Sequence, residues 1–144
     1  ALCLDKLNRL KEAENTRSAL NEFNKGMGDP IYLAGLLARI GQTEVAIGMT
    51  EERLRSSDTG MDCYNAACVY SLASASKSLS PARKEEFARR AIALLDKAQA
   101  AGAFNKPGQV EQAKVDEDLI PLRGRGDFKK RMSQWETDKA KKGK

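Results

Sequence analysis

Apolar positions recur along this chain at three- and four-residue steps, and polar or glycine-bearing turns interrupt them at intervals. Leu10, Ala13, Leu20 and Phe23 mark the first stripe, Leu33, Ala34 and Leu37 the second, and Phe87, Ala91, Ile92, Leu94, Leu95 and Ala98 the widest. That spacing places side chains on one face of an α-helix, and no run alternates with the period of a strand. The punctuation is as informative as the stripes. Lys25-Gly26-Met27-Gly28-Asp29-Pro30 ends one helix with Gly and opens the next with Asp and Pro. Gly41 makes a tight turn, and Thr43 is placed to cap the helix after it. Ser80-Pro81 joins a capping Ser to a first-turn Pro, and Gly102 stops the widest stripe.

These signals predict helix pairs over about 1–23, 30–55 and 61–101, a short helix over about 107–114 and a last helix over about 126–140. In the last helix Phe128, Met132 and Trp135 share a face, where the Trp is expected to plug the end of the core. Asp116-Glu117-Asp118-Leu119-Ile120-Pro121-Leu122 reads as a compact turn with apolar anchors. Ser71–Ser80 reads as a lengthened helix plus an enlarged connection.

A phrase returns at the helix junctions: Leu7-Asn8-Arg9-Leu10-Lys11-Glu12-Ala13, then Ile40-Gly41-Gln42-Thr43-Glu44-Val45-Ala46, and more loosely Glu85-Glu86-Phe87-Ala88-Arg89-Arg90-Ala91. Ala13 and Ala46 lie 33 residues apart, close to the roughly 34-residue period of helix-turn-helix repeats. A unit of that size cannot bury its apolar face alone, so neighbours stack and form a binding surface.

Composition narrows the class. A chain of 144 residues suits a single domain, and its Ala and Leu content with only four Pro suits helices. No apolar stretch approaches the roughly 20 residues that span a bilayer, so a soluble domain with no membrane partner is expected. There is no initiator Met and no signal-peptide pattern, and Ala1-Leu2-Cys3-Leu4 opens directly into apolar helical sequence, so the chain is expected to be part of a longer one. The net charge of +5 is concentrated at one end: residues 123–144 hold nine Lys or Arg against three acids, and the preceding 122 residues sum to −1. Lys139, Lys141, Lys142 and Lys144 sit at a helix end, where cations favour the macrodipole, so a nucleic-acid partner is not expected.

Candidate chemistry is sparse. The three Cys have no close pair, since Cys63 and Cys68 are five residues apart and point about 140° from each other on a helix. With no His, a zinc site is not expected, and small buried thiols in a reducing compartment point to the cytoplasm. Neither a phosphate loop nor a catalytic triad nor a kinase motif occurs, so no catalytic residue, cofactor or metal is expected. Asp116, Glu117 and Asp118 lack the spacing of a calcium loop and read as a solvated turn. Arg125-Gly126-Asp127 spells an integrin-type tripeptide and reads as a chance match at a helix start.

Taken together, the residues resemble the tetratricopeptide repeat. Its pattern of small residues at close helix crossings, Gly at the turn, Ala early in the second helix and Pro between units is met by Pro30, Leu33, Ala34, Leu37, Gly41 and Ala46. It is met again by Ala66, Ala67, Tyr70, Ala91, Leu95 and Ala98, and more sparsely by Leu4, Asn8, Leu10 and Ala13. Leu20 and Arg53 depart from it, standing where a small residue is usual. The resemblance covers about residues 1–101 and implies an all-α fold, a right-handed stack of antiparallel helix hairpins, with a C-terminal capping helix. Residues 62–135, with Tyr64-Asn65-Ala66-Ala67-Cys68-Val69-Tyr70-Ser71-Leu72-Ala73 and Asp118-Leu119-Ile120-Pro121-Leu122-Arg123, also look like the C-terminal tail of multidomain bacterial proteins. Many of those carry a serine/threonine kinase domain or a propeller array upstream.

The resemblance implies that the first helix of each pair lines a concave face. By register, Asp5, Lys6, Ile31, Arg39, Tyr64, Asn65 and Cys68 are the candidate binding residues. Tyr, Asn and Arg combine contact area with hydrogen-bond donors, which suits a protein or peptide ligand. Tyr64 and Cys68 read equally well as packing between helices. A non-catalytic interaction module is the leading expectation; a homo-oligomerising segment and nucleic-acid binding through the basic tail are the alternatives.

Overall fold

Local capping chemistry sets where the helices start and stop. In the computed structural model, which describes residues 30–57, 59–106 and 108–142, α1 spans Pro30–Arg39, α2 Thr43–Ser56, α3 Gly60–Ser74 and α4 Pro81–Ala100. After these come α5 over Gln109–Val115, a 3-10 helix over Glu117–Leu122 and α6 over Gly126–Lys142. The fold is all-α, with no strand among the described residues. The expected first hairpin, about 1–23, lies outside the described residues together with Asp5 and Lys6.

Between α1 and α2 the chain closes on Gly41 at φ 88. The Gln42 amide reaches the Leu37 carbonyl at 2.9 Å and the Gly41 amide reaches that of Ala38 at 3.3 Å, the paired bonds of a Schellman ending. This ending corrects the expected cap. Gln42 fills the capping position, and Thr43 is already the first helical residue, buried at 5% exposure and making no capping bond. Elsewhere side chains do the capping: Thr59 Oγ1 accepts from the Asp62 amide at 3.2 Å, and Ser80 Oγ accepts from the Arg83 amide at 3.2 Å.

α3 is the central element. It packs against α1, α2, α4 and the 3-10 helix, most extensively against α4, and it has no polar face: Cys63, Ala66, Ala67, Val69, Tyr70 and Ala73 are all buried. A helix whose apolar residues cover most of its circumference belongs largely inside. Small residues permit the close approaches, since Ala46, Ala66, Ala67, Ala91 and Ala98 are fully buried. At Gly60 a Cβ would lie 3.1 Å from that of Ala103, so the start of α3 and the chain leaving α4 meet where only glycine fits easily.

Arg53 is held by charge. Its Nη2 faces Asp62 Oδ1 at 3.5 Å, and Asp62 also accepts from the Ser57 hydroxyl. Burial pushes the Asp62 carboxyl up, but these hydrogen bonds and the Arg53 charge outweigh it and leave the group below its ordinary value.

The C-terminal part closes the core. Leu119 and Leu122 of the 3-10 helix are fully buried, and Phe128, Met132 and Trp135 present one buried face of α6. Trp135 stacks on Phe104 with ring centroids 4.8 Å apart and planes at 24°. Arg125 forks onto Glu85 of α4 at 2.6 and 3.0 Å and also meets Asp127 at 3.0 Å, while Arg131 bonds Asp96 at 2.8 Å. Both charged ends of the Arg125-Gly126-Asp127 tripeptide are therefore engaged within the chain.

Candidate ligand-binding cleft

One side of α3 is left uncovered near its N-terminus, and there Tyr64, Asn65 and Cys68 line a cleft of about 360 Å³. Phe104 closes it from the segment after α4, Gln109 and Gln112 from α5, and Asp116 and Asp118 from the start of the 3-10 helix. The phenol of Tyr64 donates to Asp116 Oδ2 at 2.6 Å, and the Asp118 amide donates to Asp116 Oδ1 at 3.0 Å. Arg123 Nη2 holds the Asp116 backbone carbonyl at 2.8 Å. At the rim, Arg39 of α1 pairs with the Asp118 carboxylate. Tyr64 also meets Phe104 edge-on at 5.8 Å, so an aromatic path runs from the cleft through Phe104 to Trp135.

Electrostatics follow from this packing. Burial pushes the Tyr64 phenol up, and Cys68 and Asp116 beside it push the same way. Burial also pushes the Cys68 thiol up, reinforced by Asp116 and Asp118, so it stays protonated at neutral pH and is a poor nucleophile. The hydrogen bond to Asp118 raises the Arg39 guanidinium further above its already high value. The cleft therefore presents a protonated phenol and thiol beside the carboxyls of Asp116 and Asp118.

The sequence-derived candidates divide. Tyr64, Asn65 and Cys68 share this cleft, and Arg39 reaches its edge through Asp118. Ile31 does not belong with them: it is buried in the core at 2% exposure and presents no surface to a ligand. The acidic triplet, expected to be a solvated turn, also differs. Asp118 is only 25% exposed, and both Asp116 and Asp118 face the cleft. A signal for this was present, because positions three apart eclipse in a 3-10 helix, so Asp116 falls in line with the buried anchors Leu119 and Leu122. Phe104, Gln109 and Gln112 carry no comparable signal, since only tertiary packing brings them here.

The sulfur of Cys68 and carboxylate oxygens of Asp116 and Asp118 lie within 4.8 Å of one another. Three donors, one soft and two hard, match poorly the four or more ligands of a closed divalent site. Two of them are already engaged by Tyr64 and Arg39. A larger hollow of about 550 Å³ lies between α2 and α4, lined by Glu51, Arg55, Arg90 and Lys97 over Leu54 and Leu94. Its Arg90 pairs with Glu51 at 3.4 Å, and Arg55 bonds the Glu51 carbonyl at 3.4 Å. None of the candidate residues lines it; Tyr64, Asn65 and Cys68 meet at the smaller cleft.

No protein-family model, curated protein or solved structure matches the chain. No helix among the described residues is long and apolar enough to cross a membrane.

Proposed function

We propose that this chain is a non-catalytic protein-interaction module, a tetratricopeptide-like stack of helix hairpins that docks a peptide segment of a partner protein on its concave side. The observation that carries the reading is the meeting of Arg39 from α1 with Tyr64, Asn65 and Cys68 from α3 around one cleft. The neighbour relations fit it: α1 packs against both α2 and α3, and α3 packs against α2 and α4, the sequence of contacts that stacked hairpins make. The cleft combines aromatic walls with convergent amides and carboxylates, a mixture suited to a polypeptide. The setting implied by the resemblance is a larger bacterial signalling protein in the cytoplasm, such as a serine/threonine kinase whose catalytic domain lies elsewhere in the parent chain.

The test is selection of peptides from a random phage-displayed library, followed by mapping on the isotopically labelled chain by amide chemical shifts. Selected peptides are expected to shift Tyr64, Asn65, Cys68 and Asp118. A selection that returns no binder, or binders that map to another face, defeats the reading.

A second reading, self-association, is favoured by exposed apolar side chains on and beside the first described pair. Leu36 is 49%, Ile40 67% and Val45 46% exposed, all on α1, the turn after it and the first turn of α2. Sedimentation over a range of concentrations tests it, a constant monomer mass being the contrary result.

A further inference from the structure

Building on the docking reading, we infer that the cleft recognises a cationic side chain, the guanidinium or ammonium of an Arg or Lys in the partner segment, and that Arg39 occupies its place until the partner arrives. Charge is the first argument. Carboxylate oxygens of Asp116 and Asp118 approach within 4.8 Å, and an opposite charge placed beside two such groups is attracted by both. The Asp116 carboxylate accepts from neutral groups, the Tyr64 phenol and the Asp118 amide. Arg123 meets the backbone carbonyl of Asp116. The guanidinium of Arg39 answers one acid of the pair, and Glu117 between them adds a further negative charge.

Exchangeability is the second argument. Arg39 is 51% exposed, and ion pairs so open to water are weakly held. A partner's guanidinium therefore replaces it at small cost, with the same hydrogen-bond geometry to the carboxylate. Space is the third. A volume of about 360 Å³ far exceeds the roughly 30 Å³ share of a single water and admits a long side chain with its flanking backbone. Tyr64 and Phe104 supply aromatic surface for the aliphatic stem and the cation. Asn65 and Gln112 stand ready for the peptide amides, while the Gln109 side-chain carbonyl already accepts from the Lys106 amide. An anionic or purely apolar anchor meets the carboxylates without compensation.

The experiment uses the full 144-residue chain and four capped pentapeptides that differ only at the central position, Arg, Lys, Glu or Leu, with zinc and calcium chloride as further probes. Amide chemical shifts are followed through each titration. The Arg and Lys peptides are expected to shift Tyr64, Asn65 and Asp118, and the Glu and Leu peptides to leave them in place. Asp118→Asn, which preserves the shape and leaves the Asp116 cap intact, is expected to weaken the Arg peptide about tenfold, the loss of one charge-assisted hydrogen bond. Arg39→Ala is expected to tighten it about two- to sixfold, the factor set by the occupancy a half-exposed ion pair sustains. Equal binding of the Glu or Leu peptide at these amides overturns the inference and leaves the docking reading standing. Saturation by either metal with no response to the Arg peptide overturns it in favour of an ion site. Silence of all four peptides at millimolar concentration also overturns it, and docking is then judged on the library-selected peptides alone. Unchanged or weaker binding by both Arg39→Ala and Arg39→Gln refutes the placeholder role.

Discussion

Replacing Trp135 with Ala removes the largest side chain from the face that seats α6. Trp135 is 7% exposed and lies stacked on Phe104, which is itself 7% exposed. Truncating a buried aromatic to Ala costs about 3–5 kcal/mol, including the cavity left behind, and the lost ring stack falls within that range. With an unfolding entropy of about 2.1 cal/mol/K per residue, a chain of 144 residues loses roughly 3 °C of melting temperature per kcal/mol. A loss of about 4 kcal/mol then lowers the midpoint by about 13 °C. Trp135→Phe keeps a ring against Phe104 and is expected to cost about a third as much. Thermal melts followed by far-ultraviolet circular dichroism read both variants. Because Phe104 also meets Tyr64 edge-on, the Ala variant is expected to perturb the amide resonances of the cleft as well. A midpoint within about 2 °C of the parent would refute the packing of α6 and the aromatic path with it.

Gly41→Ala is expected to destabilise by about 1–2 kcal/mol in urea denaturation, the cost of a left-handed residue with a Cβ. At φ 88 with nothing within 4 Å of the added carbon, that cost is conformational and not steric; an unchanged midpoint would contradict it. Ser71→Ala is expected to be neutral or to stabilise by up to about 1 kcal/mol, because Ser71 Oγ is buried without a partner; a clear loss of stability would mean that the hydroxyl is bonded. The two hydrogen bonds from Arg125, followed by the one from Arg89, hold the Glu85 carboxyl at about 2 against an ordinary 4.5. A carboxylate depressed in the fold contributes stability in full above its unfolded value and loses it as pH falls toward the folded value. Stability is therefore expected to decline between about pH 4.5 and 2, and Glu85→Gln to flatten that part of the curve; an identical slope in the variant would contradict the assignment.

Most helix ends were legible because the signals that make them are local. Gly41, Ser80-Pro81 and Gly102 act within their own turns. Thr43 does not cap α2 because the Schellman ending of α1 uses Gly41 and Gln42, leaving the capping position one residue earlier than a Thr-based cap requires. Arg53 looked out of place in the repeat pattern because its partner, Asp62, belongs to the next helix. In the cleft, Tyr64, Asn65 and Cys68 could be grouped from helical register alone, being one and four positions apart on α3. Ile31 shows the limit of the same reasoning, since register gives a direction but not what covers it. Asp116 and Asp118 come from 79 residues beyond Arg39 or nearly so, and their approach depends on how the 3-10 helix turns back onto α3. No local pattern encodes that approach.

The docking claim is tested most directly by isothermal titration of the tightest library-selected peptide against the parent chain and two variants of matched stability. One variant carries Asn65→Ala with Asp118→Asn in the cleft, and the other carries Arg55→Ala with Lys97→Ala at the larger hollow between α2 and α4. The cleft variant is expected to bind at least about tenfold more weakly, a change of about 1.4 kcal/mol or more, while the hollow variant binds as the parent does. Undiminished binding by the cleft variant, with a loss confined to the hollow variant, would contradict the account and move the interaction surface to the opposite side of α3.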